Sequence, residues 1–491
     1  MNANWPLVRL GDYCLKIGSG ATPKGGKSVY LDAGQIALIR SQNVYNDTFK
    51  PDGLAYITVD AANKLKNVEV QSGDILLNIT GDSVARLCLA PDEYLPARVN
   101  QHVAIIRPDP NEFDSRFLRY FLTSPKQQEL LLVIASAGAT RNALTKSHIE
   151  SLEVCKPELA VQIWIANQLE SLDKKIQLNH QINHTLEQMA QALFKSWFVD
   201  FEPVKAKIAE LDAGGSQEDA TFAAMTAISG KDADALVVFE REHPEQYAEL
   251  KATAELFPSA MQESELGEIP EGWKLQPFGE LLSHTIGGDW GKDEPDDKHK
   301  IPVRIIRGTD IPNIKNCQDS NIPFRYVEEK KLKTRSLEVG DIVVEVSGGS
   351  PTQPTGRSIY ITDNTLKRLS LPAEPASFCR LFRPRSMELG IVLGLHLEKI
   401  YQDGKTWLYQ NQSTGISNFQ TKVFLDNEMV TVAPDTILKS FYKIALPFVN
   451  LIHSSENIKL TQLRDTLLPK LLSGEITLPE AEQAISEVEN V

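Results

Sequence analysis

"SGDILLNITGDSVAR" at residues 72–86 and "VGDIVVEVSGGSPTQPTGR" at residues 339–357 are two spellings of one pattern. Each opens on Gly-Asp, passes through a short apolar, β-branched run and ends in a glycine-bearing polar loop closed by arginine. Such a run bounded by glycine reads as a buried strand followed by a loop. The copies lie 267 residues apart, and further pairs appear on either side. "WPLVRLGDYC" (5–14) pairs with "WKLQPFGELL" (273–282), and "QHVAIIRPDP" (101–110) with "SFCRLFRPRS" (377–386). "GATRNALTKSHIESLEVCKP" (138–157) pairs with "GISNFQTKVFLDNEMVTVAP" (415–434), and "LEQMAQALFKSWF" (186–198) with "LTQLRDTLLPKLL" (460–472). The offsets stay ordered and nearly constant, between 267 and 277. A fixed period of this kind marks an internal duplication.

Each copy begins with a globular stretch of mixed α/β (α+β) character and ends in a long helix. From Gln162 to Phe198 there is neither Gly nor Pro. Ile165, Leu169, Leu172, Ile176, Asn179, Asn183, Leu186, Ala190, Leu193 and Trp197 alternate steps of four and three, the seam of a coiled coil. Residues of this number at ~1.5 Å rise span roughly 55 Å. The second copy, about 438–472, carries Phe441, Ala445, Phe448, Ile452, Leu460, Leu463, Leu467 and Leu471. "NHQIN" (179–183) and "HSSEN" (453–457) interrupt the two seams near their midpoints. If the helices pair antiparallel the polar patches meet, with Asn179, Asn183, His453 and Asn457 fixing register. The expected division is 1–157, first globular unit; 158–202, first long helix; 203–264, acidic helical linker or insertion; 265–434, second globular unit; and 435–491, second long helix and tail.

Hydrophobic content of 42% and charged content of 24% suit a globular chain. No apolar run approaches the ~18 residues of a membrane span, and "MNANWPLVRL" has no basic-then-apolar leader. Cys14, Cys88, Cys155, Cys317 and Cys379 are odd in number and scattered, which argues against disulfides and zinc and for a reducing cytoplasm. The net charge of −14 seems to exclude nucleic acid, but residues 200–270 hold 16 acidic and 5 basic side chains. That segment carries most of the excess, and the rest is free to present local basic faces.

"GSGATPKGGKSVY" (18–30) imitates a phosphate-binding loop. A P-loop requires Gly, four residues, then Gly-Lys-Ser/Thr. With Gly26, Lys27 and Ser28 as its end, the first glycine falls on Ala21, so the stretch reads as a basic surface loop. His180 and His184 stand four apart without a third ligand, and no metal site is expected. Motifs for adenine methyl transfer, nuclease or Ser/His/Asp chemistry are missing, so no catalytic residue is assigned.

Several stretches resemble the specificity subunits of type I restriction–modification systems. They are "SGATPK", "GDILLNITG", "NQHVAIIRP", "GATRNALTK", Pro157–Gln162 opening the long helix, "FKSWFVDFEPVKAK" (194–207), "SELGEIPEGW" (264–273) and "LLPKLLSGEI" (467–476). The resemblance covers nearly the whole chain. It implies two target-recognition domains, each reading half of a split sequence in double-stranded DNA, separated by a pair of long antiparallel coiled-coil helices. It implies a non-catalytic, cytoplasmic, nucleoid-associated bacterial or archaeal subunit. Its partners would be two adenine-N6 methyltransferase subunits and, through them, restriction/translocase subunits. The chain itself then needs no cofactor, since S-adenosylmethionine, and ATP with Mg, belong to the partners. An enzyme with a cryptic site and an oligomerisation scaffold without DNA are the alternatives.

Reading bases in the major groove takes side chains with several donors and acceptors on protruding loops. In the first unit these are Arg40, Ser41, Gln42, Asn43, Thr80, Asp82, Ser83, Arg86, Arg98, Asn100, Gln101, Thr140, Arg141 and Asn142. Lys24 and Lys27 suit phosphate, which positions without reading. The second unit offers Arg307, Thr309, Ser347, Ser350, Thr352, Gln353, Arg357, Asn411, Gln412, Ser413 and Thr414. Phe194, Trp197, Phe198 and Phe201 crowd the end of the first helix and read either as local core or as a docking surface for a partner subunit.

Overall fold

The computed structural model describes residues 5–137, 142–317, 319, 321–348, 350, 352–413, 416–454, 456–476 and 483, with the backbone alone at 27, 412, 413 and 416. It divides the chain into two compact units, residues 1–177 with 459–491, and residues 178–458.

The first unit is built on an antiparallel sheet in the order Cys14–Ser19, Val103–Pro108, Ile75–Asn78, Leu87–Leu89. Neighbouring residues of a strand face opposite ways. Ile75, Leu77, Ala104 and Ile106 enter one core cluster, and Leu76, Val103 and Ile105 enter another. A sheet covered on both faces needs uninterrupted apolar runs, which is why "DILLN" does not alternate. The second cluster is shared with a sheet in the order Ala55–Ile57, Ile36–Ile39, Ala97–Val99, Glu69–Val70, whose middle pair is parallel.

The second unit repeats this order. Leu282–Gly287, Cys379–Pro384, Ile342–Glu345 and Ser358–Tyr360 form its antiparallel sheet. Phe324–Glu328, His299–Ile306 and Ala373–Pro375 form the other, again with one parallel pair. The repetition extends to single bonds. Arg107 clamps Asp74 at 2.6 and 2.8 Å, as Arg383 clamps Asp341 at 2.8 and 2.8 Å. Gly20 N–H donates to the Val103 carbonyl at 2.8 Å, as Gly288 N–H donates to Cys379 at 3.0 Å. A Cβ on Gly20 would stand 2.2 Å from the Val99 and Asn100 oxygens, and one on Gly288 2.1 Å from that of Pro375. The glycine that imitates a phosphate loop is therefore required by close backbone packing.

One helix runs from Leu159 to Phe198. Gln162, fully buried, fixes its start: its amide donates to the carbonyls of Glu112 and Pro157 at 3.0 and 2.9 Å and accepts from Asp114 N–H at 3.0 Å. In the first unit Ile165, Leu169 and Leu172 share a core with Leu460, Leu467 and Leu471, and Arg464 bonds Asp173 at 2.9 Å. In the second unit Ala190, Phe194 and Trp197 share a core with Phe441, Ala445 and Val449. In the second unit Asn183 meets Ile452 while Trp197 meets Phe441, so rising numbers on one helix meet falling numbers on the other and the pairing is antiparallel.

Two expectations need correction. The second seam is not one helix but two, Asp435–Ile452 and Glu456–Ser473. At the break Arg368 donates to the His453 carbonyl at 2.7 Å and the Cys317 thiol to that of Ser454 at 3.1 Å, so side chains take acceptors that helical N–H groups would otherwise use. The polar patches also do not meet as a set. Asn183 reaches the Ile452 carbonyl at 3.2 Å, but His453 is buried against Thr362 at 3.3 Å instead. Burial, aided by Arg368 and Lys315, lowers the His453 pKa to about 3. Asn457 is buried and Asn179 half-buried, neither bonded to His453 among the described residues.

Residues 203–264 contribute helices Glu202–Asp212, Gln217–Ser229, Ala233–Glu242 and Pro244–Glu255. They enclose a small core of Ala224, Met225, Leu236 and Ala254. Buried Lys207 donates to the Phe257 carbonyl at 2.7 Å.

Candidate nucleic-acid interface

Strand-end loops converge in each unit because backbone bonds stitch them together. In the first unit Ile79 N–H donates to the His102 carbonyl and Leu144 N–H to that of Ile79, both at 2.9 Å. Thr80 bridges to Ala143. In the second, Val346 N–H donates to the Phe378 carbonyl and Phe419 N–H to that of Val346, again at 2.9 Å. Ser347–Gly348 ladders with Ser417 and Asn418.

The first cleft so formed is lined by Ser41, Gln42, Thr80, Asp82, Ser83, Arg86, His102 and Asn142. Buried Asn78 organises it from beneath: its amide donates to the Ser41 carbonyl at 2.9 Å and to the Ser83 hydroxyl at 3.2 Å. Arg86 lies over the Tyr45 ring at 4.9 Å and has no ion pair among the described residues. His102 holds Thr80 through Nδ1 at 2.6 Å and Gln101 through Nε2 at 3.1 Å.

The second cleft is lined by Trp290, Arg307, Thr309, Glu345, Ser347, Gln353, Arg357 and Phe378. Its arginines are engaged. Arg357 makes a two-bond fork to Glu345 at 2.8 and 2.6 Å, and Arg307 one to Asp310 at 2.9 and 2.7 Å. Both carboxylates are buried, so these pairs build the loops.

Several sequence candidates stand elsewhere. Arg98 is buried in a strand, donates to the Ala62 carbonyl at 3.3 Å and pairs with Glu69 at 3.3 Å. Asn43 is buried and bonds the Lys50 carbonyl at 2.9 Å; Asn100 is buried and accepts from His102 N–H at 3.1 Å. These three are buried and hold turns and strands together. Arg40 belongs to a neighbouring cleft with Tyr30, Tyr56 and Tyr94. Lys24 and Gln101 are exposed. Ser350 and Thr352 contact each other at 3.2 Å outside the second cleft, and Asn411 is exposed on a strand. Thr140, Arg141 and Thr414, and the side chains of Lys27, Gln412 and Ser413, lie outside the described residues.

Phe194, Trp197, Phe198 and Phe201 are buried by this chain itself, among Phe257, Trp273 and Phe441. They are core, and a partner meets none of them as a surface. Among the cleft residues, loop chemistry alone passes over His102, Phe378, Trp290 and Glu345. The signal for the first two was their shared place, one residue before an aligned strand.

Two copies of one two-sheet unit, each with a cleft at its strand ends, define a duplicated recognition protein. Residues 2–188 match the family described as the type I restriction modification DNA specificity domain. The type I restriction enzyme HindI specificity subunit of Haemophilus influenzae is 30% identical over 448 residues, covering 90% of this chain and 94% of that protein. The MjaIX specificity subunit of Methanocaldococcus jannaschii is 22% identical over 486 residues, covering 97% and 94%. The crystal structure of the type I restriction-modification system S subunit from M. genitalium shares the fold, with a TM-score of 0.52 at 16% identity over 96% of both chains. The chain belongs to the family of type I restriction–modification specificity subunits.

Proposed function

We propose that each unit reads one half of a two-part sequence in double-stranded DNA through its strand-end cleft, and that the helices hold the halves at a fixed separation. The chain is non-catalytic in this reading. It docks two adenine-N6 methyltransferase subunits and, through them, restriction/translocase subunits. S-adenosylmethionine, ATP and Mg serve those partners, in the cytoplasm where chromosomal DNA lies. The observation that carries the reading is the cleft built twice by matching backbone bonds and lined by different side chains. One frame with two linings suits two readers of different bases, since base edges, and not the fold, demand particular donors and acceptors.

The test is methyl transfer to duplex DNA by the chain alone and with its methyltransferase subunits. The expected result is no transfer alone, and with partners transfer confined to sites of two blocks with an unread gap. Transfer by the chain alone, or sites of one block, would overturn the reading.

A further inference from the structure

We propose that Phe378 reads thymine in the second half-site by contact with the thymine 5-methyl group in the major groove. This rests on the cleft being the DNA-reading surface. Phe378 is 64% exposed at the cleft wall, so its ring is open to whatever enters the cleft. Its backbone is not loose: its carbonyl accepts from Val346 N–H at 2.9 Å and Ser347 N–H at 3.3 Å. The same bond in the first unit, Ile79 N–H to His102, delivers an imidazole to the corresponding place. The scaffold therefore presents residue 102 or 378 to whatever enters the cleft, and the side chain there is free to differ.

In the second cleft the polar alternatives are reduced. Arg357 and Arg307 are committed to Glu345 and Asp310. An apolar side chain has one distinctive target on a base edge in the major groove, the thymine methyl.

The experiment uses the full chain with its methyltransferase subunits and the two-part target mapped for that complex. Each thymine of the second half-site is replaced singly by deoxyuridine, which deletes only the methyl. The expected result is that one such replacement weakens wild-type binding about four-fold, the worth of one buried methyl-sized group. Phe378→Ala should bind the thymine and uridine duplexes equally, and replacements in the first half-site should be indifferent to the variant. Thermal unfolding of Phe378→Ala should match wild type, as suits an exposed side chain. A second half-site without thymine, or no replacement coupled to residue 378 in a complex that still selects its target, overturns the proposal alone. Equal losses on thymine and uridine duplexes would mean a wedge between base steps and overturn it as well. A complex without any two-part target would remove the underlying reading, and this proposal with it.

Discussion

The two clefts share a frame and differ in what their last arginine does. Asn78 and Glu345 occupy the same place, at the end of the aligned strands 75–78 and 342–345. Asn78, neutral, spends its amide on the Ser41 carbonyl and the Ser83 hydroxyl, and Arg86 stays over Tyr45 without an ion pair among the described residues. Glu345, a buried carboxylate, holds Arg357 by two bonds. One difference beneath the loop thus separates a cleft arginine without an ion pair among the described residues from an arginine that builds the loop. A motif position carried from one repeat to the other need not keep its role.

The sharpest way to break the comparison lies in the helical cores. The first unit packs its helices with aliphatic side chains, the second with Trp197 against Phe441 at a ring separation of 5.5 Å. Trp197→Ala should cost about 5 kcal/mol, the upper range for a buried tryptophan. Denaturant unfolding followed by hydrogen exchange should show the loss in residues 178–458 and spare the first unit. Unchanged stability would restore the helix end as a surface.

Arg357→Ala should cost about 3 kcal/mol of folding stability, because it leaves Glu345 buried and unpaired. Arg86→Ala should leave stability within about 0.5 kcal/mol, as for a substitution away from buried networks. Equal melting shifts for the two would mean that both arginines are structural.

Acid should separate the units further. Burial by itself pushes the Glu428 carboxyl up, but His396, Lys405 and Tyr409 at 2.8, 2.8 and 2.6 Å hold its pKa down to about 2. A depressed carboxylate stabilises fully above its ordinary value of 4.5 and loses that contribution as pH falls toward 2, about 3 kcal/mol in all. His453 is kept neutral down to about 3, so the unfolded chain gains a proton first and stability also falls as pH drops below 6.5. Both groups belong to the second unit, while Leu152, whose carbonyl accepts from Leu10 N–H as that of Glu428 does from Phe278 N–H, carries no carboxylate. Hydrogen exchange at stepped pH should show residues 178–458 opening at higher pH than residues 5–177. The reverse order would refute the assignment of these groups.

The duplication, the buried strands and the first long helix were legible because each rests on local periodicity. The strand 75–78 announces itself in four apolar or amide residues, and the helix in ten seam positions. What stayed hidden depends on partners far along the chain. Arg98 reads as a loop arginine until Ala62 and Glu69 close on it from two other segments. The break after Ile452 is made by Arg368 and Cys317, which no window around "HSSEN" contains. Phe194–Phe201 looked like a docking surface because Phe257, Trp273 and Phe441, which bury it, come 56 or more residues later. Phe378 carries no base-reading signal in the sequence, because its side chain has neither a hydrogen-bond donor nor an acceptor.

The most direct measurement is a map of methylated adenines in a host carrying the methyltransferase subunit with this chain, with Arg86→Ala, or with Phe378→Ala. The expected map for the unaltered chain shows one target of two blocks. Arg86→Ala should relax selectivity in one block, by about 1–2 kcal/mol if it grips guanine, and Phe378→Ala in the other, with the unread gap unchanged. Both variants relaxing the same block, or either relaxing both, would contradict two independent readers on one repeated frame.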